Sequence, residues 1–303
     1  MLAIRASVLA GACALLAVPA AASENTVSGY GEIFGGMGYQ TEANHYKDSF
    51  GPGTHDQGDT STFGGSGHIN MNLSPDIGVQ FDVSGQNIGY GSTNTSSDGF
   101  GAHLYSRKAN SLFGVFGSVG NVKDSRFVTA GLDGKWFLDG LGAPNTSLDA
   151  QVSYSSVIQG DLQYTRADSW NAYLGANYFF TDNLAFSGGV GAALEQNDYA
   201  ADGSYRNNVN LVNWNAKVEY KLHNMPLSVF ASYQGNYISN FNKLNDSSSD
   251  YDQKMISPNN MLMVGLRIYF GENSLRDNDR NGASLADHNP WYGTQPTLAY
   301  TSL

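Results

Sequence analysis

The sequence predicts an all-β chain: a single antiparallel up-and-down transmembrane β-barrel of about twelve strands, with short turns on one side and longer loops on the other. Three observations carry this. From Ser169 to Gln196 apolar residues recur at every second position, Trp170, Ala172, Leu174, Ala176, Tyr178 and Phe180, then Leu184, Phe186, Gly188, Val190, Ala192 and Leu194. A period of two means strand, because successive side chains point to opposite faces. Thr181, Asp182 and Asn183 make the turn between the two runs, giving a hairpin with one greasy face and one small or polar face. Second, only 14% of the 303 residues are charged, with 36 Gly and 18 Tyr. The mean hydropathy is −0.31, too polar for a bundle of membrane helices. Alternating strands that meet lipid on one face fit these values. Third, long and short connections alternate along the chain, as short turns inside and long loops outside require.

In chain order, Val27 to Gln40 reads as the first strand and Thr41 to Ser61 as a polar loop of 21 residues. Thr62 to Leu73 and Ile77 to Gly89 flank Ser74-Pro75-Asp76. Phe100 to Arg107 and Ser111 to Gly120 follow, with no clear facing. Arg126 to Leu138 and Leu148 to Ile158 precede the hairpin above. Asn208 to Leu222 and Leu227 to Ile238 come next, then a second 21-residue loop, Ser239 to Asn259, and a closing strand, Asn260 to Phe270. The alternation of connections is inverted once, between Asn121 to Ser125 and Asp139 to Ser147.

Charge follows the same phase. Eleven of thirteen charged residues in these strands fall on the polar face: Glu32, Asp82, Arg107, Asp133, Lys135, Asp149, Glu195, Lys217, Glu219, Lys221 and Arg267. Arg126 and Asp168, the exceptions, begin their strands at the rim. A charge in the middle of the lipid face costs about 2–4 kcal/mol. Glu32, Asp82, Asp133, Lys135, Asp149, Glu195, Lys217, Glu219 and Arg267 are therefore the expected pore lining. The eleven charges of the polar face are six acids and five bases, so two interiors are open: a narrow solute-conducting lumen, or a salt-bridged and plugged one. His68 and His103 take the inward phase as hydrogen-bonded lining. Tyr39, Trp136, Trp170, Phe180 and Tyr237 are expected in interfacial girdles.

Met1 to Ala22 reads as a secretory signal, with Arg5 ahead of an apolar core and Ala20-Ala21-Ala22 as the cleavage site. The one cysteine, Cys13, lies inside it. Ala10-Gly11-Ala12 lacks the large aliphatic residue that lipid attachment at Cys13 favours. The expected partners are lipid and small hydrophilic solutes, with no cofactor, no metal and no catalytic residue. A net charge of −11 argues against nucleic acid. Asp277 to Gly282 matches half of a calcium loop, but His288 stands where the bidentate Glu belongs, so a polar turn is expected.

The chain resembles the porin-like outer-membrane β-barrels of Gram-negative bacteria over Val27 to Phe270. Its last strand, Met263 to Phe270, carries Gly265, Ile268 and Phe270 where that family's closing strand has a Gly, an apolar residue and a final Phe. The resemblance implies that the barrel assembly machinery recognises these three, that the protein sits in the outer membrane, and that it is not an enzyme. It departs from the family in the 33 residues, Gly271 to Leu303, that follow Phe270. This tail, with Pro290-Trp291-Tyr292-Gly293, is expected in the periplasm or as a plug in the lumen. Oligomeric state is not readable from these residues.

Overall fold

The computed structural model describes residues 27–46, 55–90, 93–122, 125–159, 166–198, 205–244 and 252–285. The segment read as a secretory signal, Met1 to Ala22, and Trp291 lie outside them. The described chain forms twelve strands: β1 (Val27–Tyr46), β2 (His55–Ser74), β3 (Ile77–Tyr90), β4 (Thr93–Lys108), β5 (Ser111–Val122), β6 (Ser125–Phe137), β7 (Thr146–Gln159), β8 (Arg166–Thr181), β9 (Leu184–Asp198), β10 (Tyr205–Lys221), β11 (Leu227–Leu244) and β12 (Asp252–Phe270). Each pairs antiparallel with its sequence neighbours, and β1 pairs with β12 to close the barrel. Closure leaves no strand edge unpaired, the condition for crossing a bilayer with strands. A 3₁₀ turn, Leu138–Leu141, follows β6, and one helix, α1 (Leu275–Asn281), follows β12. We call the rim where Val27 starts and Phe270 ends the near rim, and the opposite one the far rim.

The side-chain phase is the one read from the hairpin. Trp170, Leu174, Val190, Leu194 and Val218 are exposed on the outer wall. Asp133, Lys135, Glu195, Glu219 and Arg267 are buried within. The ambiguous pair β4 and β5 now has a facing: Phe100, Leu104, Phe113, Val115 and Val119 point out, while His103, Tyr105, Leu112 and Phe116 are buried.

Two expectations are corrected. The loops read at Thr41 to Ser61 and Ser239 to Asn259 are mostly strand, since β1 pairs with β2 out to Ala43 opposite His55, and β11 with β12 out to Lys243 opposite Asp252. The connections shrink to residues 47–54 and 245–251. Polar residues hid these extensions. Asp59 and Asp98 are exposed far-rim strand residues in the phase of Phe63 and Phe100, as expected where a wall rises past its apolar belt. The interior, secondly, is not uniformly wet. Phe34, Phe230, Met261 and Met263 cluster inside with Ile88, and Val209, Leu211, Ile238 and Ala193 form another buried group.

The near rim is sealed by backbone bonds between successive turns. Arg107 N–H reaches Asp76 O at 2.8 Å, Phe137 N–H reaches Asn110 O at 2.9 Å and Tyr269 N–H reaches Pro226 O at 2.7 Å. In the turn before β11, Asn224 adopts φ 60°, a left-handed conformation that Asn tolerates. The inverted connections persist: β5 and β6 join through residues 123–124 at the far rim, while the near-rim segment from Leu138 to Asn145 is long.

Candidate functional site: the charged lumen and its tail

A hydrogen-bonded belt of charge lines the inner wall. On β1 and β12, Arg267 reaches Glu32 at 2.6 Å and, from its other arm, Glu219 of β10 at 3.1 Å. Its guanidinium carbon lies 4.0 Å from the centre of the Tyr30 ring. Glu219 also accepts from Ser228 at 2.6 Å and Tyr269 at 2.7 Å. Lys217 stands 3.5 Å from it. Going the other way, Glu32 accepts from Ser66 at 3.0 Å, and the Ser66 oxygen is 3.1 Å from His68 Nε2. His68 Nδ1 and His103 Nε2 contact the two oxygens of Asp82 at 2.6 and 2.7 Å, and His103 Nδ1 contacts Asp133 at 2.5 Å. Alternation makes this belt possible. Glu32 and Arg267 are cross-strand partners, as are His68 and Asp82. Buried charges persist only when paired in this way.

Ser66, His68 and Asp82 have the order of contacts of a hydrolase triad, which the sequence spacing did not reveal. The Ser66 oxygen, however, also lies 3.0 Å from Glu32, and Asp82 holds two histidines rather than one.

The described part of the tail, residues 271–285, packs against inward side chains at the near rim. Gly271 has φ +83°, and a Cβ there would lie 2.5 Å from Val27 O and 2.7 Å from Ser28 Cα. Only glycine fits where the chain leaves β12 and turns inward. Ser274 caps α1, its hydroxyl accepting from Asp277 N–H at 3.0 Å. The segment expected as a polar turn is therefore helical, because Ser274 supplies a helix start and Leu275 a buried anchor. Leu275 packs with Tyr30, Phe179, Ala185, Tyr269 and Ala283. Leu285 packs with Tyr105, Leu112 and Phe137. The buried Gln80 amide holds Leu285 from both sides, donating to its carbonyl at 2.6 Å and accepting from its N–H at 3.1 Å. Lys135 bridges Asp149 at 3.0 Å and pairs with Asp279 of the tail. Lys221 donates to Asn273 O, and Asn70 to Asn281 O at 3.3 Å.

Near this tail Glu272 is half-buried. Burial pushes its carboxyl up to about 7, and the charge of Asp277 adds to the rise against Arg107 and a Ser28 hydrogen bond. At the rim, hydrogen bonds from Arg280 hold Asp139 below the usual carboxylate range.

Above the tail lies a cavity of about 270 Å³. Of the nine sequence-predicted lining residues, Glu32, Lys135, Asp149, Lys217, Glu219 and Arg267 border it. Asp82 and Asp133 sit in the histidine network of the wall, and Glu195 is buried toward the far rim. Sequence reading missed Asp279, Ala283 and Ser284 of the tail, which help form the floor. It also missed the aromatic residues interleaved with the polar ones, although Tyr30, Phe34, Tyr173 and Phe179 share the inward phase. Of the closing-strand residues, Ile268 points outward. Gly265 has a packing reason of its own, since a Cβ there would meet the Phe230 ring at 2.4 Å.

The closed antiparallel wall, apolar outside and charged within, defines a β-barrel of the outer-membrane type. No family model matches the chain, and no curated protein matches its sequence. Among solved structures it is similar to an outer membrane channel from Pseudomonas putida F1, at 12% identity and a TM-score of 0.53, covering 80% of this chain and 96% of that one. The NanC porin matches at 8% identity and a TM-score of 0.43 over 76% of this chain and 98% of that one. The outer membrane protease OmpT from Escherichia coli matches at 11% identity and a TM-score of 0.38 over 83% and 100%. The likeness to the first is one of fold.

Proposed function

We propose that the protein is an outer-membrane channel for small solutes, exported by its signal segment, with the near rim in the periplasm and the tail from Gly271 as a plug. One observation carries this: a cavity inside the barrel, bordered by paired charges and amides, has a floor made of a segment outside the wall. Removing that segment leaves all twelve strands intact. Passive passage along hydrogen-bonding side chains needs no cofactor. The channel reading goes with a non-enzymatic role, in which Ser66, His68 and Asp82 belong to the charged belt through Glu32 and His103. Gly265, Ile268 and Phe270 would present the closing strand to the assembly machinery.

The test is planar-bilayer conductance of the mature chain and of the same chain ended at Phe270. Stepwise conductance that rises sharply on truncation supports both channel and plug. Equal conductance removes the plug. Silence from both, with folded and inserted protein, replaces the channel by a closed structural or surface-interaction barrel.

A further inference from the structure

The cavity has two unlike walls. One is apolar: Phe34, Phe230, Met261 and Met263, with Ile88 against them. These side chains lie on the wall because glycines stand beside them. A Cβ on Gly36 would meet Met263 Cγ at 2.5 Å, and one on Gly64 would meet the Phe34 ring at 2.7 Å. The other wall is amide-rich, with Gln151, Asn171, Asn213 and Asn215 around Tyr173. Glycines shape it too. A Cβ on Gly175 or Gly189 would strike the Tyr173 ring or hydroxyl, at 2.8 and 1.9 Å. Tyr173 therefore lies along the strands, its hydroxyl accepting from Asn215 at 3.3 Å.

The charged groups bordering the cavity are satisfied by one another. Arg267 holds Glu32 and Glu219, while Lys135 holds Asp149 and Asp279. An ionic ligand would have to break one of these pairs, and breaking a buried pair costs about 3–5 kcal/mol. The amide wall, in contrast, offers neutral donors and acceptors, and its Asn171, Asn213 and Asn215 are partly exposed. Gln151 is buried at 7% exposure, and its Nε2 has no hydrogen-bond partner among the described residues. The same holds for Asn236 Oδ1 and Asn259 Oδ1, of residues that also border the cavity.

We infer that this cavity binds an uncharged hydroxylated aromatic molecule, its ring on the Phe34, Phe230 and methionine wall and its hydroxyl on the amide wall. Thioether and ring contacts favour an aromatic face. A sugar would bury hydroxyls against five side chains that offer no hydrogen bond, at a cost for each. The inference rests on the channel reading for its purpose and deepens it by naming the solute class.

The probe is 4-hydroxybenzyl alcohol, titrated calorimetrically into the folded full chain in detergent, with detergent-only blanks. Glucose and 4-hydroxybenzoate are the comparisons. Saturable one-site binding of the alcohol, with neither comparison binding, supports the site. Phe230→Leu and Gln151→Leu, each checked for a heat-modifiable fold, should weaken it at least ten-fold. Binding that survives both substitutions overturns it, as does equal binding of glucose or 4-hydroxybenzoate. Absence of saturable binding overturns it as well; if the chain ended at Phe270 still conducts, the solute class alone is wrong and the channel stands.

Discussion

Arg280 of α1 grips both carboxylate oxygens of Asp139, joining the tail to the only long connection between strands on the near rim. Arg280 and Arg276 also donate to Pro144 O, at 2.8 and 2.9 Å. The helix thus docks on the long segment between β6 and β7, and also on the short turn before β9, where Arg276 N–H reaches Asp182 O at 3.2 Å.

The Asp139 pair is partly exposed and screened, so its contribution is modest, about 0.2–1 kcal/mol. Asp139→Asn should speed tryptic cleavage of the tail at Arg276 by about 1.5- to 5-fold. The effect should shrink at 1 M salt, where charges are screened within about 3 Å. Acid should act in the same direction. The lowered Asp139 carboxyl favours docking above its ordinary range, and that contribution disappears as pH falls through its depressed value.

Gln80 should matter more. It is 1% exposed and satisfies both backbone groups of Leu285. Gln80→Leu leaves a buried donor and acceptor unpaired, at about 1–3 kcal/mol each. Hydrogen exchange at the Leu285 amide should accelerate by ten-fold or more, with the amides of β6 and β7 unchanged. An unchanged Leu285 rate would mean that this latch does not hold the tail.

Glu272 gives the tail an opposite response to pH. Its carboxyl is raised to about 7 when docked, against about 4.3 in a solvated chain. The docked form binds the extra proton, so docking is favoured fully below the free value and weakens as pH rises through about 7. Asp277, Arg107 and Ser28 surround it, with Lys221 bonded to the neighbouring Asn273. Closed dwell times in bilayers should shorten from pH 5 to pH 8. Glu272→Gln should flatten that slope; a slope unchanged by the substitution would point to another group.

Most of the wall was legible because lipid imposes a strict alternation on every strand. Leu174, Val190 and Val218 declare their facing through their neighbours, and so do Asp149 and Lys217. The far-rim strand ends were not legible, because beyond the apolar belt both faces are polar and residues such as Asp59 look like loop. The interior was only half legible. Phe34 and Phe230 share a phase with Glu32 and Ser232, and nothing in a single strand says that they meet across Gly265. The tail was the least legible part. Among the described residues its anchors are Leu275, Leu285 and backbone groups that bond to Gln80, Asn70 and Lys221, and no periodicity records such contacts.

Arg267 organises the belt, and its loss should be the most damaging single change in the wall. Arg267→Met leaves Glu32 and Glu219 buried without their cation, at about 3–5 kcal/mol. Arg267→Lys should restore only part of this, because a point charge cannot reach Glu32 and Glu219 with separate arms. The readout is the temperature at which the folded band disappears in a heat-modifiability gel. It should fall steeply for Met and less for Lys.

Gly265 separates two explanations of one residue. As part of an assembly signal it would matter only while the barrel is being inserted. As a packing site it matters in the finished wall, where a Cβ would meet the Phe230 ring at 2.4 Å and Ile33 O at 2.5 Å. Phe230 can yield, but the backbone oxygen cannot move without shifting β1. Gly265→Ala should therefore lower the unfolding temperature of protein refolded in detergent, where no assembly machinery is present. Adding Phe230→Leu should recover part of the loss and leave the part due to Ile33. If Gly265→Ala refolds in detergent with unchanged stability yet fails to reach the membrane in cells, recognition and not packing is what the glycine serves.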